Sequence, residues 1–209
     1  MKPSPSMFPL VCAALLAAAV VAAPAAEPAR DRAVDVREMS RKVLEVLDHS
    51  HWIADGRDDA PRKIYVFTDA NCPFCTKFWS DARPWVDSGK VQLRHVLVAV
   101  IAPSSVGKAG TILTDADPAR RLARFEQARS FSVARAMAQG RPAPLDDPGL
   151  PALQAVPPDV VQLLREHEQM MQDLRIGGTP GIVLGEPDGR LVIKSGLAPQ
   201  DVGQVLGPL

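Results

Sequence analysis

The chain has 209 residues, 46% of them hydrophobic, and carries no formal net charge. This length suits one domain of ordinary size with additional segments, and the apolar fraction is large enough to bury a core. A balanced charge provides neither a basic surface for nucleic acid nor a bulk attraction to a membrane surface. We therefore expect no nucleic-acid partner.

The first 25 residues have the pattern of a secretory signal peptide. A short, weakly positive start precedes an apolar run from Met7, and Ala23 and Ala25 fit the small-residue positions of a cleavage site. An uncleaved anchor is the alternative, because residues 7 to 26 are long enough to span a bilayer. The Ala-x-Ala spacing favours cleavage near Ala25 and therefore export to the periplasm.

Cysteine usage narrows the chemistry. The chain contains Cys12, Cys72 and Cys75, and cleavage of the signal peptide would remove Cys12. The exported protein would then hold one cysteine pair in an oxidising compartment.

Helix and strand patterns alternate through the first half of the exported chain. Apolar residues recur at helical spacing from Val34 to Leu47, and residues 54 to 62 form a turn-rich connection. Residues 63 to 69 are β-branched and aromatic, which predicts a short buried strand. A helix should follow from Cys72 to about Val86, with a kink at Pro84.

The apolar stretch 91 to 101 predicts a second strand, buried on both faces like the central strands of a sheet. The block that follows, residues 103 to 173, predicts no strand. Its helix candidates lie near 105 to 113, 117 to 139 and 159 to 174, and a proline-rich loop from 141 to 158 interrupts them.

The C-terminal part begins with "GGTP" at 177 to 180. Strands at 181 to 186 and 191 to 196 flank a hairpin turn, and a short helix is expected at roughly 198 to 206. The whole order predicts an α/β fold with a mixed central sheet and flanking helices. Its first two strands need a crossover helix and should be parallel, whereas the hairpin strands are antiparallel.

The chemistry centres on "CPFC", residues 72 to 75. A thiolate is the nucleophile in disulfide exchange, and its pKa falls at a helix N-terminus, where free N–H groups favour negative charge. Cys72 is predicted at that position, Pro73 suits the first helical turn, and Cys75 follows on the same face. We predict that Cys72 attacks and that Cys75 resolves the mixed disulfide.

Two other roles for the pair remain open. A zinc site needs about four ligands, and the histidines show no paired ligand spacing after the motif. A structural disulfide would close a ring too small to remove much entropy from the unfolded chain. The redox interpretation is the stronger one, and it implies no metal or organic cofactor beyond a redox-active Cys72–Cys75 disulfide.

Thr179 and Pro180 form a second candidate element of the site. A strand that starts directly after them fits a cis proline, because proline tolerates the cis peptide bond at modest cost. Such a turn would hold the Thr179 backbone for pairing with an extended substrate. A trans turn into the strand is the alternative.

Other polar and aromatic residues receive structural interpretations. We expect Asp69 to cap the coming helix rather than to accept a proton from the cysteine pair. Lys77 should be solvated rather than stabilise the thiolate. Trp79 and Trp85 should pack in the core or against the domain surface.

The helical block contains two further candidate groups. We interpret His167, Met170 and Met171 as the core and surface of one helix rather than copper ligands. The charged residues of the preceding helix are interpreted as a solvated face, with substrate docking as a minor alternative: Arg120, Arg121, Arg124, Glu126 and Arg129.

Three segments carry a resemblance to a known family: "YVFTDANCPFCTKFW" from residue 65, "ARPWVDSGKVQLRHVLVAVI" from residue 82 and "GGTPGIVL" from residue 177. Together they resemble the thioredoxin-fold catalytic domain of the DsbC/DsbG family of periplasmic thiol:disulfide interchange proteins, on its DsbG side. "SHWIADGRDDAP", from residue 50, resembles the segment that links the family's helix to this domain. The match covers roughly residues 37 to 206, more loosely in the helical insertion.

The resemblance implies a thioredoxin-like fold and assigns roles by position. The family's nucleophile corresponds to Cys72, its resolving cysteine to Cys75, and its cis-proline loop to Thr179-Pro180. The dipeptide between the cysteines tunes the redox potential in this fold, and here it is Pro73-Phe74, with Phe where Tyr is common.

The resemblance also implies a domain organisation. Residues 1–25 would be the signal peptide, 26–60 an N-terminal segment and linker helix, and 61–209 the catalytic domain, with a helical insertion at about 103–174. Family members carry an N-terminal dimerisation domain before the linker helix. Only a short polar stretch precedes that helix here, so we expect the dimerisation domain to be missing and favour a monomer.

The implied function is that of a thiol:disulfide oxidoreductase of the reductase or isomerase type, acting on cysteines of other exported proteins. A membrane partner would reset the pair: a DsbD-like reductase, or a DsbB-like oxidase if the protein is a DsbA-like disulfide donor. A chaperone or binding module of thioredoxin fold without catalysis is the remaining alternative.

Overall fold

The computed structural model describes residues 29–143, 145 and 147–209. The predicted signal peptide lies outside the described residues. The helices are α1 (Ala29–His49), α2 (Pro73–Asp81), α3 (Arg83–Asp87), α4 (Ser105–Leu113), α5 (Pro118–Ala138), α6 (Pro158–Asp173) and α7 (Val202–Leu206), the last preceded by a 3-10 turn (Pro199–Asp201). The strands are β1 (Ile53–Asp55), β2 (Arg62–Thr68), β3 (Val91–Leu97), β4 (Gly181–Gly185) and β5 (Leu191–Ser195).

The strands form one mixed sheet in the order β1-β3-β2-β4-β5. β2 and β3 are parallel, joined by the crossover through α2 and α3, and every other neighbouring pair is antiparallel. The predicted parallel pair and C-terminal hairpin are therefore confirmed. β3 is buried along its whole length, as expected for a central strand covered on both faces.

The alternating side chains of β2 divide the core between the two faces of the sheet. Ile64 and Val66 pack with α2, α3 and α7, whereas Tyr65 and Phe67 pack with α1 and the end of α6. A third apolar cluster joins α4, α5 and α6 to Leu97 at the end of β3. The helical block thus covers the edge of the sheet where β2 and β3 finish, which is also where the cysteine motif begins.

Two predicted boundaries differ from the structure because of short or interrupted segments. The stretch 54 to 62 was expected to be a connection, but Ile53–Asp55 forms the edge strand β1 and pairs with β3 at His95. Three residues are too few to show an alternating pattern.

The predicted helix from Cys72 to Val86 is divided into two helices, α2 and α3. Pro84 lacks an N–H to continue α2 and lies instead in the first turn of α3.

The second strand also ends earlier than expected, at Leu97 rather than residue 101. The backbone N–H groups of Val100 and Ile101 donate to the carboxylate of Asp69, at 2.7 and 2.9 Å, and so do not pair with a strand. Among the described residues, no helix combines the length and apolarity needed to cross a membrane.

Candidate active site

Cys72 lies at the N-terminus of α2, where its side chain caps the helix. The backbone of Cys72 is extended, and its Sγ accepts a hydrogen bond from the backbone N–H of Cys75 at 3.3 Å. Pro73 takes the first helical position, where the missing N–H of proline costs no hydrogen bond. The sulfur therefore lies at the positive end of the helix, among N–H groups that favour a negative charge.

The turn before β4 lies against this sulfur. Because β2 and β4 are antiparallel neighbours, Gly181 lies opposite Phe67, and the residues before it reach the start of α2. The Thr179-Pro180 peptide bond is cis, and the carbonyl oxygen of Thr179 lies 3.3 Å from Cys72 Sγ. The structure thus brings together the cysteine motif and the Thr-Pro turn, which are more than a hundred positions apart in the sequence.

The two thiols differ in acidity. The pKa of Cys72 is lowered to about 7, first by a hydrogen bond from the Cys75 thiol, against the opposing effect of burial, and then by the N–H groups of Cys75 and Phe74. Burial, followed by the hydrogen bond and the negative charge at Cys72, raises the pKa of Cys75 well above that of an ordinary thiol. Both cysteines are free thiols and 2% exposed. Cys72 is thus the group that ionises near neutral pH.

The side chains around the motif range from exposed to buried. Phe74, between the two cysteines, is 61% exposed, which is unusual for a large apolar side chain. Lys77 forms an ion pair with Asp81, one turn along α2, and its side chain is only partly exposed. It was predicted to be solvated, and the ion pair was not foreseen. Trp79 is buried and Trp85 packs against the core with its Nε1 donating to Gly207 O, so both aromatic residues pack as predicted.

Asp69 does not cap α2, contrary to the expectation. Its carboxylate is fully buried and accepts from the Asn71 N–H and the Ser105 hydroxyl, both at 2.8 Å, in addition to Val100 and Ile101. These bonds hold the neighbouring Asn71 and the loop after β3. The N-cap position of α2 is taken by Cys72 instead. Asp69 therefore connects the loop before Cys72 to the start of α4.

Arg129 was wrongly interpreted as part of a solvated face. It is 2% exposed, and its guanidinium donates to the carbonyl oxygens of Ala70 and Asn71, at 2.8 and 2.9 Å. Longer contacts of 3.4 Å reach Cys72 O and Thr76 Oγ1. Arg129 thus holds the backbone of the active-site loop from the side of α5.

Glu126 is also buried, at 1% exposure, whereas Arg124 is exposed as expected. The periodicity of α5 contained the missed signal. The two charged positions fall on the buried stripe of α5, whose residues recur at helical spacing: Leu122, Phe125, Glu126, Arg129, Val133 and Ala136.

The remaining histidine and methionine candidates agree with the structural interpretation. His167 is buried, and its Nδ1 lies 2.7 Å from Leu97 O. Met171 is buried and Met170 half-buried on the same helix. Within the described ranges, no three His, Cys, Asp or Glu side chains are grouped as metal ligands would be.

The acidity of Cys72 predicts a pH profile for its alkylation. In the reduced protein, the rate with iodoacetamide should fall as pH decreases below about 7, because protonation removes the thiolate. A rate that does not fall as the pH is lowered through about 7 would contradict the assignment of Cys72 as the ionising thiol.

Comparisons with known proteins agree with this geometry. A family model described as a thioredoxin-like domain matches residues 54–207. The chain belongs to the thioredoxin-like domain family. Among solved structures, the catalytic domain of Proteus mirabilis ScsC is similar, with a TM-score of 0.55 and 17% identity over 81% of this chain and 96% of that one. At this identity the likeness shows the fold alone.

Two curated proteins are more similar to this chain in sequence. The thiol:disulfide interchange protein DsbG of Pseudomonas aeruginosa is 36% identical over 171 residues, which cover 81% of this chain and 60% of that protein. DsbG of Escherichia coli is 38% identical over 160 residues, covering 77% of this chain and 58% of that protein. The chain therefore spans about three fifths of the length of these relatives.

Proposed function

We propose that this protein is a thiol:disulfide oxidoreductase that acts through Cys72 and Cys75 on cysteines of other exported proteins. One observation carries the proposal: the Cys72 sulfur caps α2 while lying 3.3 Å from the Thr179 carbonyl oxygen. A nucleophile at a helix N-terminus, beside the end of a strand, can meet a substrate disulfide held along that strand. The similarity to the two DsbG proteins supports the same conclusion.

The reaction follows from the different acidities of the two thiols. The Cys72 thiolate attacks one sulfur of a substrate disulfide and forms a mixed disulfide, while the other substrate sulfur leaves as a thiolate. The sulfur of Cys75 then attacks Cys72 Sγ, forms the Cys72–Cys75 disulfide and releases the second substrate sulfur. Two electrons pass from the cysteine pair to the substrate, and no metal or organic cofactor takes part.

Thr179 and Pro180 would form the substrate-binding turn. The Thr179 backbone lies beside the sulfur, so an extended substrate segment could pair with it as an added strand. Pro73 and Phe74 would tune the redox potential through their position between the cysteines. Phe74 also offers an exposed apolar surface next to the reacting atoms.

The direction of exchange depends on how strongly the thiolate is stabilised. A lower pKa of the attacking cysteine stabilises the reduced form and makes the disulfide a stronger oxidant. The similarity to the two DsbG thiol:disulfide interchange proteins supports the reductase or isomerase side over disulfide donation.

Two measurements test the direction. Equilibration with glutathione should give a reduction potential in the range between protein disulfide isomerase, about −180 mV, and thioredoxin, about −270 mV, rather than near the DsbA value of about −120 mV. Acid-quenched thiol trapping in the exporting cell should find Cys72 and Cys75 mostly reduced. A potential near that of DsbA with a mostly oxidised pair would instead identify a disulfide donor.

The proposal extends to location and partners. Residues 1–25 would direct export to the periplasm, residues 26–60 would contain the linker helix, and residues 61–209 would form the catalytic domain with its insertion at about 103–174. A DsbD-like membrane reductase would keep the pair reduced, and the protein would act as a monomer. Light scattering of the purified protein tests the last point, since a dimer would double the measured mass.

A further inference from the structure

The outer face of α5 carries positive charge with no acid beside it on the helix. Exposed arginines recur on this face, spaced by close to whole helical turns: Arg120, Arg124 and Arg135. The acidic residue of α5, Glu126, is buried on the other side of the helix. Two acids precede the helix, Asp115 and Asp117, and their carboxylates accept from backbone N–H groups at 2.9 and 3.0 Å.

The charges of α1 are arranged in the opposite way. Arg41 lies 2.7 Å from Glu38 and 3.1 Å from Glu45, and Lys42 lies 3.6 Å from Glu38. Such pairs one turn apart compensate the cations of a solvated helix. In the part of the chain that the structure describes, Arg135 has no acidic partner of this kind. The positive charge of the outer face of α5 is therefore available to another molecule.

An aromatic side chain lies on the same face. Phe131 is 75% exposed, more than any other large apolar side chain among the described residues. Its neighbours three residues away on the helix surface, Ala128 and Ala134, are too short to cover the ring. A solvated helix gains nothing from an exposed ring, whereas aromatic residues and arginine are both enriched in protein–protein interfaces.

A groove begins beside Phe131, where the chain turns back after α5. Gly140 has a φ of 63°, the left-handed conformation that commonly ends a helix, and the N–H of Arg141 donates to Ala136 O at 2.9 Å. This turn brings Arg141 and Pro142 back towards the end of the helix. The groove has a volume of about 560 Å³ and is lined by the following residues: Phe131, Ser132, Arg135, Ala136, Arg141 and Pro142.

The groove combines one apolar ring with two guanidinium groups. Arg135 and Arg141 are both exposed, and the Arg141 side chain donates to the neutral amide oxygen of Gln139. Guanidinium groups form their strongest hydrogen bonds with carboxylates. The groove therefore fits a ligand in which an apolar group is flanked by carboxylates.

A protein segment fits this face better than a lipid surface does. Helices that lie on membranes insert a continuous apolar face into the lipid. The apolar face of α5 is already packed in the core through Leu122, Phe125 and Val133. Within α5, Phe131 is the one large apolar side chain that is exposed. One ring beside one groove matches a single apolar side chain of a partner.

We propose that Phe131, Arg135, Arg141 and Pro142 form a docking site for an acidic segment of a partner protein. An apolar side chain of the segment enters the groove beside Phe131, and the carboxylates on either side of it pair with Arg135 and Arg141. The uncompensated charge of the outer face also steers an acidic partner towards the groove. Docking here goes beyond the proposed thiol exchange and does not require the cysteine pair.

Fluorescence anisotropy with a labelled, cysteine-free peptide tests the site. In the first peptide, one leucine has two acidic residues on each side. A second peptide replaces the leucine with serine, and a third replaces the acids with their amides. We expect the wild-type protein to bind the first peptide roughly 10-fold more tightly than either of the others, because each lacks one of the two interactions. Binding should weaken as the salt concentration rises, since exposed ion pairs are screened.

Two variants test where the peptide binds. In Phe131→Ser the preference for the leucine peptide over the serine peptide should disappear. In Arg135→Gln/Arg141→Gln the affinity for the first peptide should fall roughly 10-fold. Arg41→Gln/Lys42→Gln is the matched control, because it removes the same charge from exposed positions on α1 and should bind as the wild type does. All the replaced side chains are exposed, so urea unfolding should show an unchanged midpoint in each variant.

Three results would overturn the proposal. The first is no binding of the leucine peptide by the wild type, or equal affinity for the leucine and serine peptides. The second is flotation with phosphatidylglycerol vesicles that Phe131→Ser abolishes, without peptide binding, because that result identifies a membrane site. The third is a dimer in light scattering that the same substitution dissociates, because a second copy of the chain would then occupy the groove.

Discussion

The Cys72→Ser variant should lose disulfide exchange completely, with insulin reduction falling to the uncatalysed rate. A serine hydroxyl remains protonated at neutral pH and cannot replace the thiolate as the attacking group. The structure makes the loss specific to this position, because Cys72 is the thiol that ionises near pH 7 while the pKa of Cys75 is raised far above it. The measurement is the reduction of insulin by dithiothreitol with catalytic amounts of each protein.

Cys75→Ser provides the matched variant. It should still attack substrates but fail to release them, so that a mixed disulfide at Cys72 accumulates and is visible on a non-reducing gel. Cys72→Ser should show no such adduct. Accumulation on Cys75 in the Cys72→Ser protein would reverse the assigned roles.

The same pair of variants tests the non-catalytic alternative. A thioredoxin-fold chaperone would use its peptide-binding turn without its thiols. If Cys72→Ser suppresses aggregation of an unfolded client as well as the wild type does, and wild-type insulin reduction is also absent, the enzyme proposal is wrong.

The second large effect is expected at Arg129. In Arg129→Met, the buried carbonyl groups of Ala70 and Asn71 lose the guanidinium that donates to them. Each buried polar group left without its partner costs about 1–3 kcal/mol, so the free energy of unfolding should fall by on the order of 3 kcal/mol or more. Urea unfolding of the reduced protein measures this change.

Arg129→Met should also slow disulfide exchange in the fraction that remains folded. The loop that it holds, residues 70 to 72, ends at Cys72, and a small displacement of the Cys72 sulfur weakens its hydrogen bond from the Cys75 N–H. Arg124→Met is the control, since Arg124 is exposed on the same helix and should change stability by less than about 0.5 kcal/mol. Equal effects of the two substitutions would contradict the role of Arg129.

Local patterns in the sequence predict most of the helices and strands. The hydrophobic periods of β2, β3 and the long helices are visible in the chain because each of these elements buries one face or two. The "CPFC" motif at a strand–helix junction predicted the N-terminal position of Cys72, because proline after the cysteine favours a first helical turn. The resemblance of the flanking segments supplied the thioredoxin-like fold.

The surroundings of the cysteines were decided only by the tertiary structure. Asp69, Glu126 and Arg129 are charged residues in segments where a single sequence predicts caps or solvated faces, and their burial depends on partners distant in the chain. Arg129 is buried because α5 packs across the loop before α2, where backbone carbonyls need donors. Local periodicity carries no information about which backbone groups another element will leave unpaired. For this reason the sequence by itself predicts Cys72 and Cys75 as the reacting pair, whereas only the packing of α5 against α2 shows which charged groups are buried beside them.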